Sequence, residues 1–447
     1  MRTRRDRILG RIQAGAAALL LGLAGIASLA ARASGMDDTD RRNAYLMLDR
    51  VHKTIESEYY DPKFKGLDLD ALAGVARERI GKVSSITDAL AAIAQFELEL
   101  DDSHTSFRPP FLTLRADYGW SMGMVGNNCY VIAVDPRSDA ARQGVHAGDQ
   151  VKSVNGFAPT RANLWRLKYL FNELHPMPGL HVELLPPTGA PRTLDLAAKV
   201  HPVRTVLDLS MGSDSIDWTL YEQDKEKYRA QLRPLVVRSM PDILLVRMPS
   251  FLMSASEVRR QFRDMHERAA LILDLRGNPG GEVEALNELL GEMYGDDIVL
   301  GTRAGRNGSS TWLVKGAGRN AYTGRVLVLV DARSASASEL FARAMQLTDR
   351  GTVIGDQTMG AVMESEQVTI EIPNGENEII CETSVTIADI VMSDGERLEK
   401  TGVEPDFIVL PSAADLSSGR DPVLAQALSF VGHPMDAAAA ASLYASH

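Results

Sequence analysis

Residues Arg325–Gln357 read RVLVLVDARSASASELFARAMQLTDRGTVIGDQ: a strand, a tight turn, a helix and a second strand. Val326, Leu327, Val328, Leu329 and Val330 form an unbroken apolar run, the pattern of a strand buried on both faces. Asp331-Ala332-Arg333 ends it. Ser334-Ala335-Ser336-Ala337-Ser338-Glu339 then opens a helix whose apolar positions Leu340, Phe341, Ala344, Met345 and Leu347 follow helical spacing. A serine at such a turn lies near unpaired backbone N–H groups and the positive end of the helix dipole. That suits a nucleophile whose product is an oxyanion. The same serines also suit plain helix capping.

The alternation continues on both sides. Asp242–Met248 and Ala270–Leu275 read as strands, and Glu257–Arg268 and Glu282–Tyr294 as helices, which predicts an α/β domain over residues 241–411. Val368, Ile370 and Ile372 alternate as a strand ahead of the Asn374-Gly375 turn. Residues 412–447 read as an alanine-rich tail, and the charged, irregular residues 201–240 as a connector. Residues 37–110 read as helical. Ala44, Leu48, Val51, Ile55 and Tyr59 share one face of a first helix, a second runs over about Asp68–Ile80, and Ser85-x-x-Asp88 caps a third. This region ends in Leu100-Asp101-Asp102-Ser103-His104-Thr105, and Pro109-Pro110 closes it.

Residues 112–200 turn to strands with two short helices. SDAARQGVHAGDQVKSVNG, Ser138–Gly156, resembles the corresponding segment of PDZ domains in its order of helix, turn, Gly-Asp pair, strand and Asn-Gly turn. Such domains add a peptide strand beside their own edge and hold its terminal carboxylate in a loop of backbone amides. The resemblance places that loop at Met122-Gly123-Met124-Val125.

Composition narrows the class. A hydrophobic content of 45% and a charged content of 24% are ordinary for a globular chain, and 447 residues suffice for two or three cored domains. A net charge of −11 without a basic stripe argues against a nucleic-acid partner. No CxxC or HExxH pattern occurs, so nothing in the sequence resembles a zinc site. Cys129 and Cys381 could pair in an oxidising compartment. Arg2, Arg4, Arg5, Arg7 and Arg11, then the apolar run Ala14–Ala30 and Ala31-Arg32-Ala33, read as an export signal over residues 1–33. The chain is therefore expected in the periplasm or outside the cell. Membrane association would come only from a signal left uncleaved as an anchor.

Three separated pieces then fall into one pattern: LDLRGNPGG at Leu273–Gly281, SASASE at Ser334–Glu339, and LEKTGVEPD at Leu398–Asp406. In this order, with the PDZ-like segment before them, they resemble the carboxyl-terminal processing (tail-specific) serine proteases. The resemblance implies a crotonase-like α/β protease core. It implies Ser336 as nucleophile, and an oxyanion hole made by the amides of Gly280 or Gly281 and of Ala337. Glycine permits close backbone approach, and amides at a helix start already aim at developing negative charge.

One position departs from the Ser-Lys branch of that family. Where the basic lysine would stand, in Thr358-Met359-Gly360-Ala361-Val362, this chain has Ala361. Asp102-Ser103-His104-Thr105 instead resembles the tricorn-type branch, which implies His104 as base, Ser103 as accessory serine and Glu399 as the group orienting the histidine, with Glu396 and Glu404 as alternatives. Histidine is well placed to move a proton near neutral pH, and a carboxylate would fix its tautomer. Lys315 and Lys400 are alternative bases by type and surface charges by context. Glu364, in the segment that lost the lysine, could touch substrate.

The expected activity is that of an exported serine endopeptidase acting on polypeptides, with tail recognition by the PDZ-like unit and no need of a metal or organic cofactor. The rivals are a catalytically inactive peptide-binding scaffold, suggested by the missing lysine, and an acyl-CoA enzyme of the crotonase type. With histidine as base, the rate should fall as pH drops through its pKa, and a rate flat between about pH 5 and 8 would oppose it.

Overall fold

The computed structural model describes residues 36–110, 114–202, 235–237, 240–374 and 377–445. The export-signal reading and most of the connector fall outside the described residues.

The front end is helical, as its periodicity predicts: α1 (Asp38–Glu58), α2 (Leu69–Lys82) and α3 (Ile86–Leu98). Asp37, Asp68 and Ser85 cap them by accepting from backbone N–H groups. Ala44, Leu48, Val51, Ile55 and Tyr59 are fully buried. Strand β1 (Ser106–Arg108) follows at once.

A ribbon of β2 (Leu114–Asp117) and β8 (Lys199–Pro202) then encloses a middle unit. Its antiparallel sheet has the order β3 (Trp120–Val125), β4 (Asn128–Val134), β5 (Gln150–Val154), β6 (Gly179–Leu185), β7 (Arg192–Ala197). Helix α4 (Asp139–Arg142) and helix α5 (Leu164–Tyr169) cover it, the latter continuing as a π-turn to Leu174. Met122-Gly123-Met124-Val125 is not a loop. These residues lie in edge strand β3, with the Met122 and Met124 side chains buried in the unit's core.

The back half is built on a six-stranded sheet. In spatial order it runs β18, β15, β14, β11, β10, β9, and only the β9–β10 pair is antiparallel. In chain order the elements are β9 (Leu235–Val237), β10 (Ile243–Arg247), α6 (Ala255–Phe262), β11 (Ala270–Asp274), α7 (Val283–Gly291), β12 (Ile298–Gly305), β13 (Gly308–Val314), β14 (Arg325–Val330), α8 (Ala337–Leu347), β15 (Gly351–Gly355), β16 (Met363–Asn374), β17 (Asn377–Met392) and β18 (Phe407–Ile408). The unbroken apolar run of β14 is explained by its two neighbours. Val326, Val328 and Val330 face a core shared with α6, α7 and α8, whereas Leu327 and Leu329 face the other side. Each fully buried side chain of this size contributes about 1.5–3 kcal/mol.

That other side is covered by the segment that reads as a tail. It forms three helices, α9 (Ala413–Ser418), α10 (Pro422–Phe430) and α11 (Ala437–Ala445). Val423, Leu424, Ala427 and Leu428 of α10 pack fully buried beneath the sheet, joined by Ala440 of α11.

A second sheet, β1-β17-β12-β13 with β16 also on β17, joins front to back. β1 pairs antiparallel with β17, Ser106 opposite Ser384. The helices α1 to α3 bury their apolar faces against Ile370, Ile372, Ile379 and Val385 of the β16–β17 hairpin. This seam brings residues near 100 beside the back half. Cys129 and Cys381 do not pair: both are free and buried, one in the middle unit's core and the other under the front helices.

Candidate active site

Strand β14 ends at Val330, and the turn to α8 is knitted to the loop after β11. The three serines divide there. Ser334 Oγ donates to the Leu275 carbonyl at 2.8 Å, and Ser338 Oγ to the Asn278 carbonyl at 3.1 Å. Both are fully buried. Ser336 instead lines a cleft of about 230 Å³. Its backbone is strained, with φ 55° and ψ −117°, a conformation costing an ordinary residue about 1–3 kcal/mol. The Ser336 N–H holds it there by donating to the Ala361 carbonyl at 2.9 Å and to Glu339 Oε2 at 3.0 Å.

Glu339 is a site residue that sequence reading passed over. Its carboxylate accepts from Thr358 Oγ1 at 2.5 Å, the Gly360 N–H at 2.7 Å and the Ala361 N–H at 2.9 Å. The segment lacking the lysine is thus tied to the serine turn through one fully buried acid, whose burial pushes its carboxyl up to about 7. A glutamate three residues after the serine, the spacing of a capping box, was the available signal.

The two glycines behave differently. Gly280, φ +97°, donates its N–H to Asn278 Oδ1 at 2.8 Å, so that amide is already engaged. A Cβ on Gly280 would come within 2.7 Å of the Ser336 Cβ. Gly281, φ +146°, lines the cleft, as does Ala337, and neither N–H has a partner among the described residues. Two free amides therefore flank the serine: Gly281 and Ala337. Asn278, fully buried, arranges this by also donating to the Met248 carbonyl and accepting from the Ala335 N–H at 3.0 Å.

His104 lines the same cleft from the front end. Its turn is fixed by buried Asp102, which accepts from Tyr59 Oη at 2.7 Å, Thr386 Oγ1 at 2.8 Å and the His104 N–H at 3.1 Å. His104 Nδ1 meets Ser103 Oγ at 2.7 Å. Ser103 Oγ in turn donates to Glu399 Oε2 at 2.7 Å, and the Ser103 N–H to Glu399 Oε1 at 3.0 Å. Glu399 thus reaches the imidazole through a hydroxyl rather than directly. Burial pulls the imidazole down to about 4, with the Asp102 charge opposing it. Burial also raises the Glu399 carboxyl, against donors from Ser103 and Val362. Among the described residues His104 makes no hydrogen bond to Ser336.

The other candidates lie elsewhere. Glu396 pairs with Arg343 at 2.7 Å, and Glu404 engages Gln346 through its backbone carbonyl. Lys315 pairs with Asp297 at the surface, and Lys400 with Asp101. Glu364 lines the cleft and pairs with Arg303 at 2.9 Å. Apart from Ser365 the remaining wall is apolar, with Val283, Leu286, Leu340, Met363, Ile390 and Trp312 among its residues. The arrangement can hold a carbonyl between a hydroxyl and two amides, with an imidazole nearby. No group of acids, histidines or cysteines able to hold a metal ion occurs among the described residues.

Residues 242–409 match peptidase family S41. The protein is a serine peptidase, and it carries that match within its back half. The chain is 21% identical over 387 residues to the carboxy-terminal processing protease CtpB of Bacillus subtilis (strain 168), covering 84% of the chain and 70% of that protein. It is 25% identical over 412 residues to the carboxy-terminal-processing protease of Bartonella bacilliformis, covering 90% and 83%. Its fold is similar to that of mature CPAF complexed with lactacystin, with a TM-score of 0.62 at 15% identity, over 91% of this chain and 100% of the other. The mixed α/β architecture expected from the sequence is thus that of S41 protease structures.

Proposed function

We propose that this serine peptidase is an exported endopeptidase in which Ser336 attacks the scissile carbonyl and His104 takes its proton. The observation that carries the reading is the cleft itself. Ser336, His104 and the two unpartnered amides of Gly281 and Ala337 line or flank one space, although His104 and Ser336 come from opposite ends of the chain. Ser103 has one hydroxyl proton and gives it to Glu399. Its oxygen then accepts from His104 Nδ1–H, which leaves Nε2 bare, as a general base requires. The tetrahedral oxyanion rests on the Gly281 and Ala337 amides, His104 protonates the departing amine, and water hydrolyses the acyl-enzyme. His104 replaces the absent lysine as base.

The middle unit is a PDZ-like module in this reading. Among the described residues its edge strand β3 has only β4 as a strand neighbour, so a substrate tail can add as a further strand beside it. Arg333, close in sequence to Ser336, approaches Gly123 of that strand, which sets the tail site beside the nucleophile's turn. Export rests on the charged and apolar features of residues 1–33.

Labelling by a fluorophosphonate probe, together with cleavage of a polypeptide substrate, tests the assignment. Labelling lost in Ser336→Ala and strongly slowed in His104→Ala is the expected result. Unchanged cleavage in His104→Ala would remove the histidine from the mechanism.

A further inference from the structure

We infer that Arg276 is a positioning residue for the Gly281 amide, and that the C-terminal helices supply the two groups, Asp421 and Tyr444, that hold it in place. The inference rests on the hydrolase reading and goes beyond it by making the last helices part of the active-site support.

Strand β11 ends at Asp274, and the chain must turn within a few residues to present Gly281 to the cleft. Arg276 fixes the base of that turn. Its Nε and N–H donate to Asp274 Oδ1 at 2.8 and 3.0 Å, and its Nη2 to Asp274 Oδ2 at 2.7 Å. The same guanidinium grips Asp421 with two bonds of 2.7 Å, Nη1 to Oδ1 and Nη2 to Oδ2. Tyr444 Oη closes the cluster by donating to Asp274 Oδ2 at 2.7 Å. Asp421 caps α10 through the Leu424 N–H, and Tyr444 lies in α11.

A cluster of one guanidinium and two carboxylates, with Asp274 only 1% exposed, is a poor source of stability, because apolar side chains of equal volume would serve as well. What such a cluster supplies is fixed geometry, since the planar fork of arginine sets distance and angle together. Beyond Arg276 the loop has little slack. The Gly277 N–H is bound to Asp331 Oδ1 at 2.8 Å, the Asn278 N–H to the Leu275 carbonyl, and the Gly280 carbonyl to Ser250 Oγ at 3.0 Å. A shift at Arg276 therefore passes to the amide at Gly281. An amide donor displaced by a fraction of an ångström loses transition-state binding while leaving ground-state binding largely intact.

The test compares the full chain with Asp421→Asn, Tyr444→Phe and Arg276→Lys, and with Leu428→Ala as a control that weakens the same helix packing without touching the cluster. Each protein is assayed on a chromogenic peptide for kcat and KM, on a peptide boronate for affinity to a tetrahedral anion, and by thermal unfolding. The positioning role predicts that kcat and boronate affinity fall together by about 10-fold in Asp421→Asn and Tyr444→Phe, and further in Arg276→Lys, with KM within about twofold. Leu428→Ala should lower Tm yet keep kcat at temperatures where it is folded. Variants that keep both kcat and boronate affinity overturn the inference, as does a control that loses as much activity as they do. A wild type that neither cleaves peptide nor binds boronate removes the hydrolase reading itself, and the positioning role with it.

Discussion

The Ser103 hydroxyl stands 2.7 Å from Glu399 Oε2 and is the only bridge from that carboxylate to the His104 imidazole among the described residues. An acid that acts through a hydroxyl influences the base by tautomer and orientation, and not by placing a full negative charge against the ring.

Ser103→Ala should therefore lower kcat by about 10- to 100-fold with little change in KM, and Glu399→Gln should do the same. The double variant should be no worse than either single one, because both remove the same link. Steady-state kinetics on one peptide substrate measures this, and additive losses would separate the two residues.

With His104 as the proposed base, burial sets the pH dependence of the reaction. His104 in the folded protein takes up no second ring proton until pH approaches about 4, so the limb of kcat/KM carried by the neutral imidazole should lie near there. The sequence alone places that limb in the ordinary imidazole range. The cleft moves it down, and a rate flat between about pH 5 and 8 becomes the expected profile. Stability follows the same group. An imidazole with a depressed folded pKa favours folding fully above its unfolded value of about 6.5, and that contribution is lost as pH falls toward 4. His104→Gln should flatten the decline of Tm across that window.

Gly280→Ala tests the turn. The added Cβ would lie 2.7 Å from the Ser336 Cβ and would sit on a backbone with φ +97°. Activity should fall by at least about 100-fold, since Ser336, the proposed nucleophile, must move. Fluorophosphonate labelling rates would register the loss even where the substrate assay is insensitive.

Glu97 predicts an effect on stability alone. It is fully buried, bound by Thr383 Oγ1 at 2.7 Å, and its second oxygen has no partner. Burial raises its carboxyl well above the usual range. The folded state keeps the proton while the unfolded state loses it, so the protein loses stability as pH rises above the unfolded value of about 4.3. Glu97→Gln should gain in Tm over the wild type, and the gain should be larger at pH 8 than at pH 5.

Much of the architecture is readable from residue spacing. Ala44, Leu48, Val51 and Ile55 announce a helix because one face is buried and the other is wet, and Val326–Val330 announces a two-sided strand for the opposite reason. The C-terminal helices escaped notice although Asp421-Pro422 is a good helix start and Val423, Leu424, Ala427 and Leu428 repeat at helical spacing. Alanine-rich sequence around them blurs the contrast between faces. The resemblance to PDZ domains puts a carboxylate-binding loop at Met122-Gly123-Met124-Val125, yet its two methionines alternate into a core as a strand requires. At the site, residue types and their order point to Ser336 and His104 only through resemblance to a family. Which glycine has a free amide was not readable at all, since it depends on an Asn278 side chain folding back on its own loop.

The seam between the front helices and the β16–β17 hairpin has a consequence for the timing of activity. The imidazole is synthesised early and the hydroxyl late, and the strand that joins their neighbourhoods, β17, comes later still. On the proposed mechanism, a growing chain carries the parts of a hydrolase without an assembled centre, and so does not endanger the machinery that makes it.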